Sequence, residues 1–173
     1  GLVLVVDLGG SGLRVGVVDD AGNLRILGKR RLRLVYHSDW PGAVEFSSDI
    51  ESEVKSIIAE ALRSMNGSER SRIRAVVCTS MREGFVLLDS RGDVVYAGPN
   101  ADYRGVEEAH ELSADIGDEI YQRGGQWITP PDGAIQAPCR LLWLARHEPE
   151  RLERARTFMM LSDWAASLFS GEF

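Results

Sequence analysis

Leu2 to Val6 is an unbroken apolar, largely β-branched run that ends at Asp7. Such a run predicts a buried central strand. Glycines at 9, 10 and 12 predict a tight turn, and Leu13 to Asp19 a second strand. After the turn Asp20-Ala21-Gly22-Asn23, residues Leu24 to Val35 alternate as a third strand, with Leu24, Ile26, Leu32 and Leu34 on one face. Short turns make these three strands an antiparallel meander. Ile50, Val54, Ile57, Ile58, Ala61, Leu62 and Met65 then recur at helical spacing. Ser48 and Glu51 predict a capping box at the start of that helix, and Asn66-Gly67 its stop. Ile73 to Ser80 reads as a fourth strand, reached by a right-handed crossover.

Phe85 to Leu88 and Val94 to Tyr96 flank Asp89 to Asp93 as a hairpin. Helices are predicted from near Asp102 to Ser113 and from Ala137 to Arg146, the second stopping before Pro149. Thr157 to Leu161 predicts a fifth strand, and Asp163 to Phe169 a last helix with Asp163 as its N-cap. Trp143 and Trp164 are expected in the core. The pattern describes an α/β layered domain: a five-stranded mixed sheet, antiparallel over its first three strands, with flanking helices.

Composition narrows the function classes. The 173 residues suggest one domain, with 44% apolar and 27% charged residues, which speaks against disorder over most of the length. A net charge of −6 disfavours sequence-independent nucleic-acid binding, which needs clustered cations. The basic run Lys29-Arg30-Arg31-Leu32-Arg33 is read as the solvated face of an edge strand. Two cysteines, Cys78 and Cys139, make no disulfide framework, and Cys78 is expected to be a small buried hydrophobe. No run reaches membrane-spanning length, and the N-terminal run lacks the basic flank of a signal peptide, so cytoplasm is the expected location. His37, His110 and His147 lack metal-ligand spacing, and His147 is expected near a helix C-terminus.

The chemistry concentrates at Asp7-Leu8-Gly9-Gly10-Ser11-Gly12. No stretch supplies the Gly-x-x-x-x-Gly-Lys-Ser/Thr of a P-loop, and the strand-like Leu13 to Asp19 replaces the helix of a dinucleotide-binding turn. A turn joining two antiparallel strands can aim glycine N–H groups at an anion without a Cβ in the way. Ser11 adds a hydroxyl donor, Asp7 can hold a hydrated Mg²⁺, and Arg14 can add a phosphate contact. A plain β-hairpin is the competing reading of this loop.

Strand, acidic residue, glycine-rich turn and second strand resemble the phosphate hairpin of the actin-like ATPase (ribonuclease H-like) fold. Four further segments make the resemblance specific: Ser80-Met81-Arg82-Glu83-Gly84, Asn100-Ala101-Asp102-Tyr103-Arg104, Arg140 to Leu144 with His147 to Glu150, and Ser162-Asp163-Trp164 with Leu168 to Glu172. In this order they resemble the FGGY family of carbohydrate kinases over essentially the whole length. Asn100 stands where many members have Trp, and Ala134-Ile135-Gln136 lacks the aromatic residue usual in glycerol kinases.

The resemblance implies that 1–173 is an N-terminal, substrate-binding lobe using ATP and Mg²⁺, with Gly9, Gly10, Ser11, Gly12 and Arg14 at the phosphates and Asp7 at the metal through water. It implies that Arg82, Glu83, Asn100, Asp102 and Arg104 bind a small linear sugar, polyol or hydroxy-ketone; hydroxyls both donate and accept, which suits carboxylates and a guanidinium fork. Asp102 and Arg104 read equally well as a cap and surface of the following helix. The proton-accepting base and the adenosine pocket would lie in a C-terminal lobe absent from this chain, so the chain alone is expected to be inactive. A homodimer and a non-catalytic actin-like binding module both stay open.

Overall fold

A computed structural model describes residues 1–172. The chain runs β1 (Leu2–Gly9), β2 (Gly12–Asp19), β3 (Leu24–Arg30), β4 (Leu34–Tyr36), β5 (Val44–Phe46), α1 (Ile50–Arg63), α2 (Gly67–Arg70) and β6 (Ile73–Ser80). It continues through β7 (Phe85–Leu88), β8 (Val94–Gly98), α3 (Val106–Gln122), α4 (Ala137–His147), α5 (Pro149–Arg154), β9 (Thr157–Met160) and α6 (Leu161–Ser170). Three sheets result. The main one has the order β3-β2-β1-β6, with β6 parallel to β1 and the first three strands antiparallel. β4 and β5 form a two-stranded ribbon, and β8-β7-β9 a small antiparallel sheet.

The main sheet is therefore four-stranded, not five. The predicted fifth strand forms as β9, but it pairs with β7: Leu88 faces Thr157 and Phe85 faces Met160. The predicted third strand also divides. Gly12 lies so close to the end of β3 that a Cβ there would stand 2.3 Å from the Arg30 carbonyl oxygen and 2.8 Å from Arg31 Cα. The chain leaves the sheet at that point, and residues 34–36 pair with β5 instead.

Alternation along β1 sets the layers. Leu4, Val6 and Leu8 are at most 2% exposed and pack with Leu13 and Val15, with Val54 and Ile57 of α1, and with Leu161 and Trp164 of α6. The opposite face carries Val3, Val5, Val18, Leu24, Ile26 and Val77, brought side by side by the strand register. Leu24, Ile26 and Val77 are 59%, 52% and 50% exposed, so this apolar face is uncovered. β1 is thus buried on one face and half-buried on the other.

Several helix ends differ from expectation. α1 begins after Asp49 with no side-chain cap, because the Asp49 carboxylate is taken by Arg33 and Glu51 by Lys55. Asn66 does not stop a helix but starts α2, with a capping box to Glu69. α6 starts at Leu161, whose N–H bonds the Gly84 carbonyl, leaving Asp163 inside its first turn rather than at its cap. The basic run belongs to edge strand β3 and its exit, where Arg30 pairs with Glu60 and Arg33 with Asp49 and Glu53.

The two turn glycines invite a paired test. Gly12 has φ +122 and no room, whereas Gly10 has nothing within 4 Å of an added Cβ. G12A is expected to cost about 2–4 kcal/mol in urea unfolding, from strain plus overpacking. G10A should lie within about 0.5 kcal/mol of wild type, as at an unconstrained surface position.

Candidate functional site

One cleft of about 330 Å³ opens where the main sheet meets the small one. Gly9, Gly10, Ser11 and Gly12 form one wall, and Met81, Pro99, Asn100 and Ala101 another; Phe46 of the ribbon also lines it. The two segments singled out in the sequence for phosphate and for substrate thus face a common space. β1 ends at the cleft because its hydrogen-bonded pairing with β2 runs through Gly9↔Gly12, leaving only two residues for the turn.

Asp7 and Arg14 sit opposite each other in the β1–β2 register, with Arg14 Nε 3.5 Å from Asp7 Oδ2. Arg14 Nη2 also donates to Ser11 Oγ at 3.3 Å. A Cβ on Gly9 would stand 3.3 Å from Arg14 Nη2 and 3.6 Å from Asp7 Oδ1. Glycine there keeps the space above this pair clear. Asp7 and Arg14 do not line the cleft itself, but the Arg14 guanidinium and Ser11 hydroxyl beside the Asp7 carboxylate are the groups that suit a phosphate and a hydrated cation. Among the described residues no three His, Cys, Asp or Glu side chains group as a metal cage.

On the substrate side the expected residues separate. Asn100 lines the cleft. Arg82 is exposed and Glu83 half-buried, neither lines the cleft, and among the described residues neither side chain makes an ion pair. Glu83 holds φ 63, the sole positive φ outside glycine among the described residues. Asp102 and Arg104 lie behind the wall, 0% and 6% exposed. Asp102 was expected to meet a hydroxyl or cap a helix; instead Val44 N–H donates to its Oδ1 at 3.2 Å, the Tyr96 hydroxyl to its Oδ2 at 2.6 Å, and Arg104 Nε to both oxygens. Those bonds hold 102–105 as a turn, and α3 starts only at Val106.

The network extends through Glu45 on β5. Arg104 Nη2 donates to Glu45 Oε1 at 2.7 Å, and Arg151 of α5 pairs with both Glu45 oxygens and with Glu148. Burial pushes the Glu45 carboxyl up, but hydrogen bonds and charge from Arg151 and Arg104 outweigh it and hold the group below its ordinary value. Burial raises the Tyr96 phenol, which stays protonated and donates to Asp102.

Sequence reasoning missed three parts of this site. Phe46 and Met81 carried no polar signal, though Met81 stood inside a segment already singled out. Arg31 lines the cleft next to Gly12 and, unlike Arg30 and Arg33, has no carboxylate partner among the described residues. Its place in an alternating basic run hid it among solvated cations. Arg140 and Glu45, which hold the wall from behind, belong to segments that carry the family resemblance, but their supporting role was not legible because they lie far from the wall in sequence.

Glu45 sets a pH dependence. A carboxyl depressed in the folded state contributes stability above its unfolded value, ordinarily 4.5, and that contribution is lost as pH falls through the lower folded value. E45Q is expected to cost about 3 kcal/mol at neutral pH, since buried Arg104 and half-buried Arg151 lose a charge partner. Its stability should then fall less steeply than wild type below pH 4.5, read from urea midpoints across an acid series.

The comparisons with known proteins agree with this geometry. A family model, the FGGY family of carbohydrate kinases, N-terminal domain, matches residues 2–173. Autoinducer-2 kinase of Enterobacter sp. (strain 638) is 35% identical over 178 residues, covering 98% of this chain and 32% of that protein. The autoinducer-2 kinase of Yersinia enterocolitica is 36% identical over 177 residues, with 98% and 32% covered. The chain therefore spans about a third of the length of the curated relatives it matches. Among solved structures, a xyloylose kinase from Brucella ovis superposes with TM-score 0.82 at 25% identity, over 97% of this chain and 33% of that one. The xylulose kinase from Rhodospirillum rubrum gives 0.77 at 24% identity, over 99% and 35%, a likeness of fold alone. The architecture is the actin-like ATPase fold of those sugar kinases, with four strands in its main sheet. By its matched residues, its site and its fold, the chain belongs to the FGGY family of carbohydrate kinases.

Proposed function

We propose that this chain is the N-terminal, substrate-side lobe of an ATP-dependent sugar kinase. The whole protein transfers the γ-phosphoryl group of ATP to a hydroxyl of a small linear sugar or hydroxy-ketone, as the resemblance to autoinducer-2 kinases suggests. The observation that carries this reading is the shared cleft, in which Gly9 to Gly12 face Met81, Pro99, Asn100 and Ala101. A phosphoryl donor laid on the glycine turn would point at an acceptor held by the other wall. Phosphoryl transfer asks mainly for such positioning and for charge stabilisation.

In this reading Gly9 and Gly12 close the turn through their own pairing, and the amides of Gly10 and Ser11, Ser11 Oγ and Arg14 bind phosphate oxygens. Arg31, on the cleft wall, adds positive charge. Asp7 holds Mg²⁺ through water, and the ion screens phosphate charge. Arg82, Glu83 and Asn100 bind acceptor hydroxyls by donating or accepting, and Asp102 and Arg104 act from behind by fixing the turn that presents Asn100. The cleft-lining residues described include no carboxylate, and in this reading the base comes from a second lobe, in keeping with relatives about three times longer. The uncovered apolar face of the main sheet supports the same view, because a face of that kind asks for covering by more chain.

Linear hydroxy-ketones and polyols should raise the melting temperature of this chain, by a small amount because an open half-site binds weakly. E83A should abolish the rise without lowering the unliganded melting temperature. The chain alone should show no sugar-dependent ADP formation, and the full-length parent should. Turnover by the isolated lobe, or a rise that survives both E83A and N100A, would refute the assignment.

A further inference from the structure

We propose that Arg140 is a positioning residue: its buried guanidinium locks the Glu83 turn and the Pro99–Asn100 turn to each other, so that the substrate wall of the cleft moves as one body. The proposal rests on the sugar-kinase reading for its function, though its geometry stands apart from it.

Arg140 projects from α4 and has no exposed surface. Its Nη2 donates to the Glu83 carbonyl oxygen. Its Nη1 donates to the Pro99 carbonyl at 3.0 Å and to the Tyr96 hydroxyl at 3.2 Å. The guanidinium carbon lies 4.3 Å from the centre of the Phe85 ring. The two carbonyls belong to turns at opposite ends of the β7–β8 hairpin sequence, yet one planar fork spans them. No carboxylate pairs with Arg140 directly among the described residues; it reaches Asp102 through the Tyr96 hydroxyl. A cation buried in this way is a costly means of packing a helix on a sheet, and an apolar side chain would do that at less expense. What the guanidinium adds is geometry: two donors at fixed separation, aimed at two main-chain oxygens.

Three independent features agree. Glu83 adopts φ 63, a conformation that a non-glycine residue keeps when its surroundings hold it, and the Arg140 bond falls on that residue's own carbonyl. Gly98 leaves room for the fork, since a Cβ there would lie 2.7 Å from Arg140 Nη1 and 1.9 Å from the Tyr96 oxygen. The two turns also touch in front of the fork, where Asn100 N–H donates to Met81 Sδ at 3.3 Å. Met81 and Asn100 both line the cleft, so whatever fixes their backbones fixes its substrate wall.

Hydrogen exchange read by mass spectrometry tests this on the 173-residue chain, with R140M and R140K against wild type. The reporters are the amides of Met81, bonded to the Leu8 carbonyl, and of Asp102, bonded to the Pro99 carbonyl. R140M should speed exchange at 81–84 and 99–102 together, by about tenfold or more, while β1, β2 and α1 keep their protection. R140K, with one nitrogen in place of two, should restore one turn and leave the other loose.

Unchanged exchange at both turns in R140M would overturn the proposal, as would a loss of protection spread evenly along the chain, which marks plain packing. Should R140M not fold, R140K carries the test, and wild-type protection of both turns in R140K overturns it. A second measurement separates this proposal from the function it rests on. In wild type, D-xylulose and inorganic pyrophosphate should each raise the melting temperature; in R140K the sugar effect should fall away and the pyrophosphate effect stay. Coupled loosening of the turns with no sugar effect in wild type supports the lock and overturns the sugar-kinase reading. An undiminished sugar effect in R140K overturns the lock's role in substrate positioning.

Discussion

Asp102 has no exposed surface, and its carboxylate gathers a main-chain N–H from the β4–β5 ribbon, a hydroxyl from β8 and the guanidinium of Arg104. An ionised carboxylate left without such partners inside a protein costs several kcal/mol, so none of the three can drift without penalty. That constraint joins ribbon, small sheet and the turn before α3. Phe46 and the 99–101 turn become walls of one cleft because the elements carrying them are fastened to the same anion. Glu45 extends the fastening to α5 through Arg151, and here too each buried charge has a partner of opposite sign.

The other wall is built on a different principle. The β1–β2 turn owes its shape to sterics: two strands pair to Gly9↔Gly12, and Gly12 fits against the β3 exit because it lacks a side chain. Among the described residues nothing ionic holds it apart from the partly exposed Asp7–Arg14 pair, whose contribution to stability is small. This division suits a phosphoryl-transfer site. Backbone amides positioned by strand pairing need no reorganisation when an anion arrives, whereas hydroxyl recognition needs side chains that a stiff support must aim.

Much of the fold was legible because it rests on local signals. The apolar run at Leu2, the helical spacing from Ile50 and the hairpin around Asp89 each express a period that one element satisfies by itself. Several misreadings have a different cause, a partner distant in sequence, although Lys55 at Glu51 and the Asn66–Glu69 capping box are local. Ser48 and Glu51 have the spacing of a capping box, but Arg33 and Lys55 claim Asp49 and Glu51. Thr157 to Met160 has strand chemistry, but no periodicity says which sheet it joins. The glycine turn and Asn100, which line the cleft, were marked in the sequence by a glycine run and a motif. Asp102 has the same residue type as a hydroxyl-binding carboxylate, and only burial distinguishes it.

The same reasoning bears on specificity. In a lobe whose substrate wall is fixed by Arg140 and Asp102 from behind, the residues in front are free to vary without loosening the turn that carries them. Asn100 lies at that front, on a turn whose neighbouring carbonyl, Pro99, is already committed to Arg140 and to the Asp102 amide. Exchanging the Asn100 side chain for an aromatic one would change which acceptor fits the cleft while leaving every bond of the support in place. Under the proposed sugar-kinase function, substrate choice would fall to side chains of the Asn100 turn, with the buried charges behind setting how sharply it is expressed.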